Sequence, residues 1–194
     1  LNEAVRKVLV QKYQLGLFDD PYRYCNSQKE ADEILTDSDR KTAYEMACKS
    51  IILLKNNSLL PVKIPQKVAV IGPLANFQRA MDGNWTVAAE ALKNKFPQTE
   101  ITFIEGCSIS GNDRSGFPAA IKSAKESDLV ILALGENWGM SGEARSRGDI
   151  HIPGVQEELA CEIYKVNKKC ITLLMGGRPL IFNQIAEKAP AILY

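Results

Sequence analysis

The sequence predicts an α/β fold, a three-layer α/β/α sandwich in which helices cover both faces of a mostly parallel sheet. From residue 66 onward, short apolar segments alternate with amphipathic helical segments. The apolar segments have no polar face, and strands that are apolar on both sides belong to parallel βαβ units covered by helices. Loops rich in glycine and polar residues follow these strands. Because ligands bind at the carboxyl ends of the strands in such sheets, the candidate site is expected there.

The alternating part of the chain predicts a strand or a helix for each segment in turn. The predicted strands are Val68–Gly72, Ile101–Glu105, Leu129–Gly135, Cys170–Gly177 and the final AILY segment. The helices predicted between them are 86–95, Pro118–Glu126, Pro153–Asn167 and Ile181–Lys188. Two of these helices are predicted to have proline at their first position, where its missing N–H breaks no helical hydrogen bond.

The segments before residue 66 precede this alternation. A helix is predicted to open the chain, because apolar residues recur at helical spacing and Gly16 follows where a C-terminal cap belongs. Residues 25–36 are mostly polar and charged without a clear period, and they are interpreted as a linker. A second helix is predicted from about Asp37, with Thr36 as its N-cap and Asp39 three residues on.

The segment SIILLKNNSLLPV connects that helix to the alternating part. A branched apolar run ends at Asn56-Asn57, and a second short apolar run follows. Asparagine tolerates turn conformations, so the pattern predicts a small hairpin or a strand with a tight bend.

Composition and charge exclude several classes of function. The chain has 194 residues and a net charge of +1, and scattered charges attract neither nucleic acid nor an anionic membrane. No apolar run approaches the roughly 20 residues that span a bilayer. The five cysteines are widely spaced without a CxxC pair, and Cys161 and Cys170 are expected on buried faces. We therefore expect no nucleic-acid partner, no membrane span, no metal and no cofactor.

Two further kinds of site are disfavoured. GPLANF lacks the GxGxxG spacing of dinucleotide sites, Pro73 removes a backbone donor there, and no P-loop motif occurs in the chain. The single histidine, His151, precedes a predicted helix start and has no second histidine for a triad or a usual zinc site. A capping or surface role is favoured for it over catalysis.

The segment GENWGMSGEARSRGD, residues 135–149, concentrates charge at the end of a buried strand. Glu136 follows the strand directly, and its side chain is predicted to bond to loop backbone and hold the turn. Glu143 lies deeper in the loop, between Gly142 and Ala144. Composition alone favours a solvated or ion-paired surface role for Glu143, with catalysis as the minority interpretation.

The two tryptophans each have two interpretations. Trp85 lies in the loop motif MDGNWT, and Trp138 lies in the charged segment. A loop tryptophan is often a partly buried anchor, and it also offers an apolar face on which a sugar ring can stack. Both interpretations stay open for Trp85, whereas the anchor is favoured for Trp138.

A series of motifs, read in order, gives evidence beyond composition. The motifs are VRKVLVQKYQLGLFDDP, AYEMACKSIILLKNNSLLPV, KVAVIGPLA, GNW, LGENWGMSGEARSRGDIHIPGVQEEL and MGGRPL. Together they resemble family 3 glycoside hydrolases, the β-glucosidase and β-xylosidase group, over essentially the whole chain. The LLKN…LPV and SGEA-x-SR-x-D-x-x-x-PG-x-Q patterns are specific to that family.

The resemblance implies a domain organisation. In that family a (β/α)8 barrel is followed by a linker and by an α/β sandwich on a mostly parallel six-stranded sheet. Residues 1–24 are then expected to be the last helix and exit of the barrel, and residues 25–36 the linker. Residues 37–194 are expected to form the sandwich domain, truncated at its C-terminus.

The resemblance also implies roles for individual residues. These enzymes retain anomeric configuration: an aspartate of the barrel, outside this chain, is the nucleophile, and a glutamate of the sandwich domain is the general acid/base. By motif position that glutamate is Glu143. The expected substrate-binding residues are Asn84, Trp85 and Trp138, and the expected supporting residues are Glu136, Arg145, Arg147 and Asp149. The arginines are expected to pair with Asp149, Glu136 or the barrel.

The implied function is that of a retaining β-glycosidase fragment that hydrolyses terminal β-linked glucosyl or xylosyl residues and is inactive without its barrel. Its expected partners are a β-glycoside or oligosaccharide substrate and the barrel domain. The alternative, from another class, is a non-catalytic flavodoxin-like module whose loops bind a small ligand or a protein. A periplasmic or secreted location is expected from the family, whereas the residues themselves leave a cytoplasmic location open.

Overall fold

The computed structural model describes residues 1–63, 65–75 and 95–194, except for the side chain of Trp138. This described part divides into two compact units, Leu1–Ser50 and Ile51–Tyr194. The helix predicted from Asp37, which was expected to belong to the sandwich domain, falls in the first unit.

The fully described first unit contains helices α1 (Asn2–Gln14), α2 (Ser27–Glu33) and α3 (Asp37–Ser50). The predicted end of α1 is confirmed. Gly16 has a φ of 69°, its N–H donates to the carbonyl of Tyr13 at 2.8 Å, and the N–H of Leu17 donates to that of Lys12 at 3.0 Å. This pair of bonds is a Schellman motif, which ends the helix with glycine in the left-handed region.

Helix α2 lies within the segment interpreted as a linker, and hydrophobic periodicity does not predict it. Asn26 caps the helix by accepting a hydrogen bond from the N–H of Lys29 at 3.0 Å. Side chains one turn apart then pair, Gln28 with Asp32 at 2.9 Å and Lys29 with Glu33 at 3.8 Å. Polar pairs at this spacing each stabilise a helix by about 0.2–0.5 kcal/mol and leave no apolar period in the sequence.

The N-terminus of α3 is confirmed as predicted. The Thr36 hydroxyl accepts a hydrogen bond from the N–H of Asp39 at 3.2 Å. In return the Asp39 carboxylate accepts bonds from the N–H and the hydroxyl of Thr36, at 2.9 and 2.8 Å. This is the reciprocal arrangement of a capping box, which satisfies N–H groups that the first helical turn leaves unpaired.

The second unit is built on a sheet that has six strands in the described residues, in the order β1-β6-β5-β4-β2-β3. The strands are β1 (Leu53–Asn56), β2 (Lys67–Ile71), β3 (Glu100–Ile104), β4 (Leu129–Gly135), β5 (Cys170–Met175) and β6 (Ala191–Leu193). Strand β1 is antiparallel to β6, and all other neighbours are parallel. The predicted mostly parallel α/β sheet is thereby confirmed.

The SIILLKNNSLLPV segment forms a strand with a tight bend, and the alternative of a local hairpin is wrong. Asn56 makes the bend: its side-chain oxygen accepts bonds from the N–H groups of Leu59 and Leu60 at 3.0 and 2.9 Å, and its amide donates to the Leu60 carbonyl at 3.0 Å. Strand β1 instead pairs with β6, the last strand. Local turn chemistry identified the bend but carried no information about so distant a partner.

The described helices of the second unit are α4 (Phe117–Lys125), α5 (Gln156–Val166) and α6 (Asn183–Lys188). Pro118 was predicted as the first residue of its helix, and it is the second residue of α4, which begins at Phe117. The prediction that Pro153 opens the next helix is wrong, because Gly154, with a φ of 66°, turns the chain before α5 begins at Gln156. The helix predicted over residues 86–95 falls, except for its last residue, outside the described residues.

The core lies on both faces of the sheet. On one face Val130, Leu132 and Leu134 of β4 pack with buried residues of α4, α5 and α6. On the other face Leu129 and Ala133 belong to a second buried cluster that includes residues of β2, β5 and β6. Alternate residues of β4 belong to the two different clusters, and β4 therefore has no polar face. The prediction that Cys161 and Cys170 are buried is also confirmed.

The strand order indicates where a ligand site is expected. From β2 the chain passes to β3 on one side, and β4 then lies on the other side of β2. Ligands of doubly wound sheets bind at such a switch point, beyond the carboxyl ends of the strands. Residues 136–152, which follow β4, lie at that edge. Across the described ranges no helix combines the length and apolarity needed to cross a bilayer.

Candidate functional site

The loop after β4 leaves the sheet through a glycine. Gly135 has a φ of 134°, a conformation that side chains rarely adopt, and a Cβ there would overlap the carbonyl oxygen of Met175 on β5. The next residue is bonded to the same strand, because the N–H of Glu136 donates to the Met175 carbonyl at 2.8 Å. The loop therefore starts from a fixed point on the sheet edge.

The side chain of Glu136 is fully buried between two arginines. Its carboxylate accepts a hydrogen bond from Nη1 of Arg147 and another from Nε of Arg178, the latter at 3.2 Å. The side chains of both arginines are 20% exposed. A buried carboxylate is tolerated only when charge partners and hydrogen bonds replace its water. Glu136 thus links its own loop to the loop after β5.

Arg178 also holds loop backbone. Its Nη2 donates to the carbonyl of Met140 and, at 3.2 Å, to the carbonyl of Arg145. Next to it in sequence, Gly177 makes close contact with Ser141: a Cβ built on Gly177 would lie 2.8 Å from the Ser141 Cβ. The GGRP segment therefore contacts the charged loop through both Arg178 and Gly177.

Glu143 lies at the tip of that loop. The N–H of Arg145 donates to the carbonyl of Gly142 at 3.1 Å, which closes a turn with Glu143 and Ala144 at its centre. Ala144 has a φ of 58°, as the third residue of a type II turn requires. Glu143 is exposed. Its carboxylate has no hydrogen-bond or ion-pair partner within the described residues.

The far end of the loop is closed by Asp149 and His151. The Asp149 carboxylate accepts from the N–H of His151 at 2.9 Å and pairs with its ring Nδ1 at 2.6 Å. These bonds, the backbone one foremost, hold the pKa of Asp149 below its usual value. His151 forms an isolated parallel bridge with Ile181, and its carbonyl accepts a bond from Arg147 at 3.2 Å. His151 is exposed and thus has the surface role that the sequence favours.

Gln156 braces the base of the site and is completely buried. Its side-chain oxygen accepts from the N–H of Gly135 at 2.8 Å. Its amide donates to the carbonyls of Gly135, Ile109 and Pro153 at 2.9, 2.9 and 3.1 Å. One amide group therefore ties the end of β4 to the loop after β3 and to the turn before α5.

A thiol also lies near this edge, in the loop after β3. Cys107 is buried, and burial, with the charge of Glu105, raises its pKa to about 11. Reactive cysteines have thiolate character and access to solvent, so Cys107 is an inert, structural residue. In the described part of the chain no group of three or more His, Cys, Asp or Glu side chains is placed to hold a metal ion.

The structure brings most of the predicted site residues together in one loop. The predicted pairing of an arginine with Glu136 is found for Arg147, whereas Arg145 donates to the carbonyl of Gly139 at 3.1 Å. The prediction that the Glu136 side chain bonds to loop backbone is wrong, because its carboxylate is instead bonded to the guanidinium groups of Arg147 and Arg178. Asp149 pairs with His151 rather than with an arginine.

The side chains of the three predicted substrate-binding residues, Asn84, Trp85 and Trp138, lie outside the described part of the chain. Asn84 and Trp85 lie outside the described residues. Trp138 begins the 3₁₀-helix Trp138–Met140, which Asn137 caps by accepting a bond from the N–H of Gly139 at 3.0 Å. The side chain of Trp138 is outside the described part of the chain.

Sequence reasoning missed two residues that hold the loop. Arg178 is in the MGGRPL motif, and its signal was an arginine directly after two glycines, which leave room for a neighbouring loop. Gln156 is the glutamine of the PG-x-Q pattern, and its signal was a polar residue on the buried side of an amphipathic helix. A buried polar side chain is informative because it must be hydrogen-bonded.

Comparisons with known proteins agree with this architecture. The family model for the glycosyl hydrolase family 3 C-terminal domain matches residues 51–194, the bounds of the second compact unit. A β-xylosidase from Formosa agariphila is 38% identical over 210 residues, which cover 100% of this chain and 29% of the relative. A periplasmic β-glucosidase from Salmonella typhimurium is 34% identical over 229 residues, covering 100% of this chain and 30% of the relative.

Solved structures give the same result. A mutant β-glucosidase from Listeria innocua, in complex with laminaribiose, superposes with a TM-score of 0.81 at 32% identity, covering 99% of this chain and 27% of that one. The chain spans less than a third of the length of each of these relatives. The family model nevertheless covers the whole second unit, and the chain therefore belongs to glycosyl hydrolase family 3, with residues 51–194 as its C-terminal domain.

Proposed function

We propose that this chain supplies the general acid/base of a retaining β-glycosidase that releases terminal β-linked glucosyl or xylosyl residues. Glu143 is the proposed acid/base, and the nucleophilic aspartate is proposed to lie in a barrel domain outside these residues. The names of the relatives, β-xylosidase and β-glucosidase, support the two sugar classes. The proposal includes residues 1–24 as the end of that barrel, residues 25–36 as the linker and residues 37–194 as the sandwich domain.

The observation that carries the proposal is the contrast between the base of the loop and its tip. The base is fixed by the buried Glu136 between Arg147 and Arg178. The tip presents Glu143 to solvent, and its carboxylate is left unpaired within the described residues. A general acid must be free to reach the glycosidic oxygen and yet be held in a defined place. The other four charged residues of the loop, Glu136, Arg145, Arg147 and Asp149, all bond to neighbouring groups.

The chemistry requires two carboxyl groups about 5–5.5 Å apart across the scissile bond. The nucleophile attacks the anomeric carbon and forms a glycosyl ester while Glu143 gives its proton to the departing oxygen. Glu143 then removes a proton from a water molecule, and the resulting hydroxide displaces the aspartate with overall retention.

Asn84, Trp85 and Trp138 are proposed to bind the leaving-group sugar, on the basis of their motifs. An indole offers a flat apolar face to a pyranose ring. A periplasmic or secreted location is also proposed, because one relative is named periplasmic. Fractionation of the source cells tests the location, and recovery of the enzyme with a cytoplasmic marker would contradict it.

The acid/base role is tested by Glu143→Ala in the full-length enzyme. General acid catalysis contributes about 10²–10⁴-fold, so kcat/KM for phenyl β-glycosides should fall within that range. For 2,4-dinitrophenyl β-glycosides, whose leaving group needs no proton, kcat/KM should change little. Added azide should then restore turnover of the accumulated glycosyl-enzyme and yield a glycosyl azide of retained configuration.

The matched control for this variant is Glu126→Ala. Glu126 caps the C-terminus of α4, directly before β4 and hence at the opposite edge of the sheet. Its removal should leave kcat/KM unchanged for both the phenyl and the 2,4-dinitrophenyl β-glycosides. A folded Glu143→Ala enzyme that azide does not rescue, or that loses activity equally on both substrates, would show that another residue is the acid/base.

A further inference from the structure

The geometry points to Arg178 as a positioning residue for Glu143, an inference that rests on the proposed function. One guanidinium contacts both sides of the segment that carries the acid/base. Met140, three residues before Glu143, and Arg145, two residues after it, both accept hydrogen bonds from Arg178 Nη2 through their carbonyls. Arg178 therefore closes the base of the turn at whose tip Glu143 lies.

The position of Arg178 is itself fixed. Its Nε donates to the buried carboxylate of Glu136 at 3.2 Å, and its own carbonyl accepts a hydrogen bond from the hydroxyl of Tyr194. Glu136 in turn follows β4 directly and is bonded through its N–H to β5. The turn is thus connected to the rigid sheet by a short chain of contacts.

A second, uncharged contact holds the same turn. Ser141 packs against Gly177 so closely that a methyl group on Gly177 would overlap its hydroxyl and lie 2.8 Å from its Cβ. Gly177 has no positive φ, so alanine is compatible with its backbone. The substitution Gly177→Ala therefore displaces Ser141, two residues from Glu143, without removing any charge.

Arginine suits this position better than lysine. Its planar group presents five donors in a fixed geometry and can serve a carboxylate and two carbonyls at once. Lysine keeps the positive charge beside Glu136 but has a single, flexible ammonium group. The substitution Arg178→Lys therefore separates neutralisation of the buried carboxylate from the holding of the turn, and it avoids leaving that carboxylate unpaired.

The experiment compares kcat/KM for phenyl and 2,4-dinitrophenyl β-glycosides in the full-length enzyme. A displacement of about 1 Å at a reacting group can cost about 100-fold, so Arg178→Lys should lower the phenyl value by about 10–100-fold. The dinitrophenyl value should fall by less than about 3-fold, since that leaving group departs without general acid help. Gly177→Ala should show the same dependence on the leaving group.

Gly148→Ala is the matched control. Gly148 is in the same loop, has no positive φ, and a Cβ there would have nothing within 4 Å. It should leave both values within about 2-fold of the parent, as expected for a surface substitution without new contacts. Thermal unfolding of each variant shows whether it is folded at the assay temperature.

The outcomes separate the inference from the function on which it rests. Leaving-group dependence in Arg178→Lys and Gly177→Ala supports the positioning role. An equal loss on both substrates, or no loss, in folded variants overturns it while a leaving-group-dependent Glu143→Ala keeps the proposed function. If Glu143→Ala itself loses both activities equally, the proposed function fails and the positioning role fails with it.

Discussion

At the scale of single residues, the carboxyl edge of the sheet depends on a buried amide. Gln156 has no exposed surface and is hydrogen-bonded to one N–H and three carbonyls. The carbonyls of Ile109 and Pro153 lie outside strands and helices, and the N–H and carbonyl of Gly135 belong to the last residue of β4, where the loop begins. Leaving such a buried group without a partner costs more than the hydrogen bond contributes when it is made.

The substitution Gln156→Leu should therefore be strongly destabilising. Leucine has a similar size but leaves the Gly135 N–H and the carbonyls that the amide served without a partner. We expect the free energy of unfolding, measured by urea denaturation, to fall by at least about 4 kcal/mol, because four groups lose their partner at about 1–3 kcal/mol each. Gln66→Leu is the control, since Gln66 is exposed. Equal stability of the two variants would contradict the bracing role.

The two residues that sequence reasoning missed both form hydrogen bonds to backbone groups. Glu143 was identified because motif position marks it, and Glu136 because it directly follows a strand. Arg178 and Gln156 act on backbone groups of segments distant in sequence. Neither charge patterning nor periodicity encodes such a contact, because both describe neighbours along one strand or helix. The contents of the loop were therefore predictable, whereas its attachment to the sheet was not.

At the scale of elements, Lys55 of the LLKN segment connects strand β1 to the C-terminal end of helix α6. Lys55 on β1 donates from its Nζ to the carbonyls of Ala186 and Glu187, at 2.8 and 2.9 Å. These are among the last carbonyls of α6, which have no partner within the helix. The lysine also places a positive charge at the negative end of the helix dipole.

Lys55→Met should lower the free energy of unfolding by about 1–2 kcal/mol, because charged donors contribute more than neutral ones. Methionine keeps most of the apolar stem, so the loss reports the ammonium group. Lys125→Met, an exposed lysine in the last turn of α4, serves as the reference. If the difference between the two variants does not shrink at 1 M salt, the contact is not mainly electrostatic.

Element types were easier to predict than element pairing. The strand β4 and the N-terminus of α3 match their predictions, because a continuous apolar run and a capping box are local signals. The start of α5 differs, since a positive φ at Gly154 overrides the preference of Pro153 for a first helical turn. The pairing of β1 with β6 cannot be predicted from local sequence, because the two strands are far apart along the chain.

At the scale of the whole molecule, the buried core belongs to one unit. Every residue in the two core clusters lies in the unit Ile51–Tyr194. In the fully described unit Leu1–Ser50, none of α1, α2 and α3 has a buried residue. Burial of apolar surface is the main stabilising contribution to folding, so residues 51–194 carry most of the stability of this chain.

The 194-residue chain produced alone should therefore fold cooperatively and yet not hydrolyse aryl β-glycosides. The buried clusters of the described residues lie within residues 51–194, whereas the proposed nucleophile lies in another domain. A single urea transition for the sheet, together with no release of 4-nitrophenol above the Glu143→Ala background, is the expected result. Substantial turnover would mean that the nucleophile is within these residues and that the proposed division of roles is wrong.

The pairing of β1 with β6 also bears on synthesis of the protein. The N–H of Ile52 donates to the carbonyl of Tyr194 at 2.8 Å, and the N–H of Tyr194 donates back at 2.9 Å, just beyond the two strands. A ribosome releases β1 before every other strand of the described sheet and β6 after them. The apolar residues 51–54 therefore cannot pair with β6 until nearly all of the second unit has been translated. Closure of the sheet is therefore a late step, completed only after β6 has left the exit tunnel.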